Sequence, residues 1–185
     1  MRKIIGFKLA IRINEVKRRA KKAKLDLAAL GLDDPALERI IDLALLQAVP
    51  AVLFDTFKHP DRDQQALSPM PGLAYSLVLA TLGDKFGAVE SEPADSSLWK
   101  ILKEIALDET IRFAASLLEV EASKDSCELS PINMLAESAA LETAVRKLDG
   151  AKIGLRCAEN GLNPSASIAV SLSWLSKSKA KGKSK

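Results

Sequence analysis

Residues 152–174, KIGLRCAENGLNPSASIAVSLSW, decide the fold class of this chain. Lys152 to Cys157 and Ser167 to Trp174 each alternate apolar and polar side chains, the period-two pattern of a strand with one buried face. Between them lie Asn160-Gly161 and Asn163-Pro164, pairs that favour turns. The pattern predicts two paired strands joined by a loop, and hence an antiparallel sheet.

Immediately upstream the period becomes helical. Leu141, Ala144, Val145 and Leu148 form one stripe, bracketed by Pro131 and Ser138 on one side and by Asp149-Gly150 on the other. Before it, LWKILKEIALDETIRFAASLLEVEA is apolar over more than half its circumference, which predicts a long central helix; Asp95, Ser96 and Ser97 are its candidate N-caps. LAYSLVLATLG, between Gly72 and Gly83, fits a buried strand about as well as a short helix. The three prolines of residues 58–72 predict a surface loop, and residues 90–97 a second one. Asp34-Pro35 opens another helix, with Leu37, Ile40, Ile41, Ala44, Leu45 and Ala48 on its apolar face and Pro50 at its end.

The N-terminal IIGFKLAIRIN supports two readings. Phe7, Leu9, Ile11 and Ile13 alternate as in a strand, yet Leu9, Ile13, Val16, Ala20, Ala23 and Leu27 share a helical stripe. The helix covers more residues, and KRRAKKAK is rich in helix formers. The charge is segmented in the same region. Of 185 residues, 27 are basic and 24 acidic, but residues 1–24 hold ten Lys and Arg against Glu15 alone, and residues 177–185 hold five Lys and no acid. The formal +3 therefore divides into +9, −11 and +5. An acidic body argues against a nucleic-acid-binding globule, which needs its cations on the folded surface. The basic ends remain free to meet something negative, including the protein's own body. The division predicts a basic amphipathic segment over 1–24, an α+β core over 25–176 and a disordered Lys-rich tail over 177–185.

No apolar run reaches the ~20 residues that span a bilayer, and no signal-peptide h-region opens the chain, so a cytoplasmic protein is expected. Cys127 and Cys157 stand thirty positions apart without a metal-ligand spacing. His59 is the single histidine, and no nucleophile-elbow, phosphate-loop, dinucleotide or zinc-protease motif is present. His59-Pro60-Asp61-Arg62-Asp63 offers two carboxylates but lacks the glycine and glutamate of a calcium loop, and is a charged turn in the first instance.

The 152–174 segment also resembles the terminal hairpin of the S-adenosylmethionine-binding activation domain of cobalamin-dependent methionine synthase. Ile153-Gly154, Glu159-Asn160, Leu162, Pro164, Ala166-Ser167 and Ile168 fall in register with that family's I-G-[IVK]-x-L-T-E-S-x-x-M-x-P-x-x-S-[VI]-S pattern. Ser130-Pro131 and the following helix are similar to its S-P-G-Y segment, Leu79-Ala80-Thr81-Leu82-Gly83 is similar to a recurring A-x-T-L-G with Leu79 in place of the alanine, and Leu30-Gly31 with Asp34-Pro35 is similar to the opening of stand-alone members. Each motif is short; their order over residues 27–174 makes the resemblance.

What the resemblance implies is a single-domain α+β fold, an antiparallel sheet covered by helices, acting with a corrinoid or a corrinoid protein by docking or reactivation. The implied contact residues are Glu128, Ser130 and Pro131 together with Glu159, Asn160, Pro164, Ser165, Ala166 and Ser167. Small residues of the 159–167 loop would admit a macrocycle, cobalamin being the implied cofactor; the same loop also has the composition of a plain turn. Where the family carries Arg-x-x-Pro-Gly-Tyr, residues 128–133 are Glu-Leu-Ser-Pro-Ile-Asn. An acid in place of the arginine would repel a carboxylate ligand, which argues against S-adenosylmethionine use. The competing reading is a non-enzymatic interaction protein or homo-oligomer that works through its basic N-terminal helix.

Overall fold

The structure, a computed structural model, describes residues 1–68, 70–88, 96–159 and 161–177. It is mixed α and β, with a curled antiparallel sheet between layers of helix. The strands are β1 (Arg2–Ile5), β2 (Ala51–Lys58), β3 (Ala74–Thr81), β4 (Cys127–Leu129), β5 (Asn133–Met134) and, after the short β6 (Arg156–Ala158) and β7 (Gly161–Asn163), β8 (Ser167–Ser176). The main sheet runs β1-β2-β3-β8-β4, and β5 also pairs with β8. The helices are α1 (Ile13–Lys22), α2 (Asp34–Gln47), α3 (Gln64–Leu67), α4 (Asp84–Ala88), α5 (Ser96–Lys124) and α6 (Ser138–Leu148).

Alternation along the central strands divides the core. Val52, Phe54, Val78, Ala80, Val170, Leu172 and Trp174 face the C-terminal half of α5, where Ile111, Ala114, Leu118 and Ala122 meet them. Leu53, Tyr75, Leu77, Leu79 and Ala169 face the other way, onto Leu141, Ala144 and Leu148 of α6 and Leu67 of α3. Because both faces are covered, every residue of β3 is buried, and its sequence is a mostly apolar run, broken by Ser76 and Thr81, instead of an alternating one. The ambiguity over 73–83 resolves as a strand for this reason.

Helix α5 has 29 residues, about 43 Å at 1.5 Å per residue. Only its C-terminal half lies on the sheet. Its N-terminal half, through Leu98, Ile101, Leu102 and Ile105, holds α1, α2 and α4 in a separate cluster with Leu9, Ile11, Val16, Ala20, Leu37 and Ile41. The wide apolar circumference therefore serves neighbours on several sides. Asp33 caps α2 by accepting from Ala36 N at 2.9 Å, one residue earlier than expected, with Pro35 in the first turn. The expected N-cap Asp95 lies outside the described residues, as do Asn160 and residues 178–185.

Two expectations are corrected. The 152–157 and 167–174 segments do not pair with each other. Gly150–Ile153 forms a 3-10 turn, β6 pairs with β7, and β8 enters the main sheet between β3 and β4. A ten-residue strand gains more by burying both faces and pairing along all of β3 than by folding onto a six-residue neighbour. At the N-terminus both readings hold in part: Arg2–Ile5 pairs with β2, while the helix begins only at Ile13. Between them Phe7, Leu9 and Ile11 turn inward and Lys8, Ala10 and Arg12 outward in extended chain.

The basic N-terminal segment lies on the protein's own acidic body. Arg19 of α1 donates to Glu15 and to Asp108 of α5, Lys17 pairs with Asp34, and Arg2 pairs with Glu121. Arg18 and Arg19 together hold the Glu15 carboxyl down to about 2.

Candidate functional site

The residues expected at a site fall into two groups, one along an edge of β8 and one in the loop that leads into it. The first is the segment 128–133. Cys127, Glu128 and Leu129 pair with Ser176, Leu175 and Trp174, Ser130 N donates to Ser173 O, and Asn133 stands opposite Ser171, so this segment runs along the edge of β8. Glu128 is exposed on that edge. Ser130 and Pro131 line a pocket of about 210 Å³ with Ser68, Met70, Ile132, Asn133, Ser171 and Ser173.

Hydroxyls enter this largely apolar pocket because β8 places Ser171 and Ser173 on alternate positions of a strand with two covered faces. Buried hydroxyls need partners, and the neighbouring segments supply them. Ser173 Oγ meets Ser68 Oγ and donates to Met70 O at 2.9 Å; Ser173 N donates to Ser130 Oγ at 2.9 Å; Asn133 Nδ2 donates to Ser171 Oγ at 3.1 Å. Ser130 Oγ also donates to Pro131 O. These hydroxyls are committed to each other and to backbone, and the described residues that line the pocket include no imidazole or carboxylate to act as a base. The pocket lies below the ~300 Å³ at which small-molecule sites begin.

The second group is the 159–167 loop, which with β6 and β7 stands against α6. Two clefts flank this ribbon. One, of about 410 Å³, is lined by Ser138, Leu141, Glu142, Cys157, Ala158, Glu159 and Gly161; the other, of about 280 Å³, by Leu135, Leu141, Gly161, Leu162, Ser165, Ser167, Ile168 and Ala169. Leu141 and Gly161 belong to both. Gly161 has φ +121, a conformation side chains rarely adopt, and an added Cβ would meet nothing within 4 Å, so the lip over the clefts is open. Arg156 and Asn163 brace the ribbon across its strands: with the amide oxygen turned to the guanidinium, Asn163 accepts from Nε at 3.0 Å and Nη2 at 3.2 Å.

Pro164 and Ala166 do not reach these clefts. Both are buried, and Ala166 O accepts from Leu82 N at 2.9 Å. The adjacent Thr81 Oγ1 accepts from Ser167 Oγ at 2.8 Å and from Gly83 N at 3.1 Å, and Gly83 has φ +85. The Thr81-Leu82-Gly83 segment thus fastens the root of the loop. Glu159, Ser165 and Ser167 are left as the cleft-lining members of the expected set. The 128–133 pocket and the 159–167 clefts share no lining residue.

Sequence reasoning passed over Ser138, Glu142 and Cys157 in the larger cleft, and Ser68, Asn133, Ser171 and Ser173 in the pocket. The inward serines of β8 had a visible signal, the repeated Ser-x-Ser of residues 171–173 inside a strand. Burial first, and Glu142 second, push the Cys157 thiol up, which leaves it protonated at neutral pH.

The turn 59–63 proves to be a clamp. Lys147 Nζ of α6 lies 2.7 Å from both oxygens of Asp61 and 3.2 Å from Asp63 Oδ2, above the rings of Phe57 and Tyr75. The cation between these two carboxylates is the chain's own. Burial lowers the Lys147 pKa, but the Asp61 and Asp63 carboxylates and the Tyr75 phenol outweigh it and raise it overall, so the amine stays charged and is no nucleophile. His59 stacks on Tyr75 at 5.5 Å, and its buried ring nitrogens have no hydrogen-bond partner among the described residues. A Ser-His arrangement therefore does not form.

Among the described residues no group of three His, Cys, Asp or Glu side chains is placed to hold a metal ion, and no helix is long and apolar enough to cross a membrane. No protein-family model matches the chain, and no curated protein matches its sequence.

Proposed function

We propose that the chain is a stand-alone relative of the methionine synthase activation domain that docks, through its 159–167 loop, on a corrinoid or a corrinoid-bearing protein. The observation that carries this reading is the lip formed by the exposed Glu159 and Ser165 with the half-buried Gly161 and Ser167 above two adjoining clefts. A corrin ring with its amide arms is larger than either cleft. Contact would be across the lip, with Glu159, Ser165 and Ser167 as polar partners for the amides and with Gly161 permitting close approach of the ring.

Use of S-adenosylmethionine is disfavoured on three counts. Glu128 stands exposed where the family has an arginine, the Ser130 hydroxyl is already bonded on both sides, and the adjacent pocket of about 210 Å³ is small for a nucleoside-bearing ligand. The role on this reading is to position a corrinoid, with or without its reductive reactivation. The competing interaction reading would be restricted to the outer face of α1, because Val16 and Ala20 of its inner face are fully buried.

Titration with cobalamin, followed by its visible spectrum and by alkylation of Cys157, tests the proposal. Binding should shift the spectrum and slow alkylation at the cleft, and Gly161→Val should abolish both changes. An unchanged spectrum together with failure to retain any corrinoid protein would defeat the proposal.

A further inference from the structure

Another concavity lies far along the sequence from the loop just discussed. It is a groove of about 790 Å³ between the C-terminal end of α1 and the start of α5, lined by Arg18, Arg19, Lys22, Ala23, Lys24, Leu25, Ser97, Lys100, Ile101 and Glu104. Five cations face one acid. Arg18 and Arg19 are engaged by Glu15 and Asp108, but among the described residues the side chains of Lys22, Lys24 and Lys100 make no ion pair.

Their placement is not explained by the fold. Lys22 in the last turn of α1 complements that helix's dipole, but Lys100 sits near the start of α5, where a cation opposes the dipole. Lys24 is odder. Lys24 N donates to Lys21 O and Leu25 N to Ala20 O, the two bonds of a Schellman motif, which puts Lys24 at the left-handed position that glycine normally fills, with φ 58. A lysine held there costs stability and adds a third unpaired charge to a wall that already repels itself.

We propose that this groove binds a ligand that carries clustered phosphates beside an apolar portion. Lys22, Lys24 and Lys100 supply point charges for the phosphates, and Ala23, Leu25 and Ile101 supply an aliphatic floor. The volume lies within the ~300–1,000 Å³ usual for small-molecule sites. The same chemistry is offered by a soluble phosphoester and by an anionic lipid headgroup.

Calorimetric titration of the full chain with inorganic pyrophosphate and with ADP, beside cosedimentation with phosphatidylglycerol–phosphatidylcholine vesicles, tests this. Uptake of pyrophosphate or ADP identifies a soluble ligand; uptake of vesicles alone identifies a headgroup. In either case amide shifts on binding should map to residues 18–25 and 97–104. Lys100→Glu should weaken binding roughly tenfold or more, while Lys124→Glu, at the far end of α5, should not. Lys24→Gly separates the roles: it should raise the melting temperature and yet weaken binding. Absence of binding to every probe, or equal losses in Lys100→Glu and Lys124→Glu, overturns the proposal.

Discussion

Lys147 shows how one side chain joins distant parts of the chain. Its ammonium fixes the 59–63 turn to α6, and it is mostly buried, with 17% of its side chain exposed against 18% for Asp61. Lys147→Met keeps the aliphatic contact with Phe57 but leaves the Asp61 carboxylate without its cation. We expect a loss of about 2–3 kcal/mol at neutral pH, because the abandoned charge is only partly hydrated. The sign with pH follows from Asp61, whose carboxyl is held below its ordinary value of 3.8, first by the hydrogen bond from Lys147. A depressed carboxylate contributes stability that is full above the unfolded value and is lost as pH falls through the folded one. Urea denaturation across the acid range should therefore show the gap between wild type and Lys147→Met closing below the ordinary carboxylate range; a constant gap would remove Asp61 from the account. Gly72 makes a second residue-scale case. An added Cβ would stand 2.6 Å from Trp174 O, a backbone atom of β8 that also accepts from Leu73 N. Gly72→Ala should cost about 1–3 kcal/mol by forcing β3 away from β8, measured by the denaturation midpoint.

At the scale of elements, what could be foreseen depended on whether the deciding contacts are local. Helix α5 was legible because its stripe is written in consecutive residues, and α2 because its cap lies beside it. Asp33→Ala should lower stability by about 1 kcal/mol and Asp33→Ser far less, since only a side-chain oxygen is needed to accept from Ala36 N; thermal melts of both variants decide the matter. Strand β2, AVLFDTFK, gave no clear signal because its first four residues are buried on both faces and so do not alternate. The partner of β8 was misjudged because β3, more than eighty residues away, is chosen by the burial of both surfaces and not by the turn next to β8. The candidate site divides in the same way. Glu159, Ser165 and Ser167 belong to one loop and stand together in the sequence. The hydroxyl network of Ser68, Ser130 and Ser173 joins three segments, and no short stretch of sequence announces it.

For the whole molecule the question is what holds the basic N-terminal segment to an acidic body. Its ion pairs are conspicuous, yet the Arg2–Glu121 and Lys17–Asp34 side chains are 36–63% exposed, and pairs of that kind contribute about 0–1 kcal/mol each. Against this, Leu9, Ile11 and Val16 are 9%, 8% and 0% exposed within the cluster built on α2 and α5. At about 2 kcal/mol for each large aliphatic side chain, their burial contributes about 6 kcal/mol, comparable with the whole stability of a small domain. Apolar packing therefore dominates, and charge sets only how the segment is oriented. Two outcomes follow. Raising the salt concentration should move the melting temperature little, because the screened term is the small one. Removing residues 1–24 should expose the faces of α2 and α5 that Leu9, Ile11, Val16 and Ala20 cover, and should abolish cooperative unfolding. A truncated chain that still melted cooperatively near the wild-type temperature, or a full chain that lost most of its stability in high salt, would reverse the ranking of packing over charge.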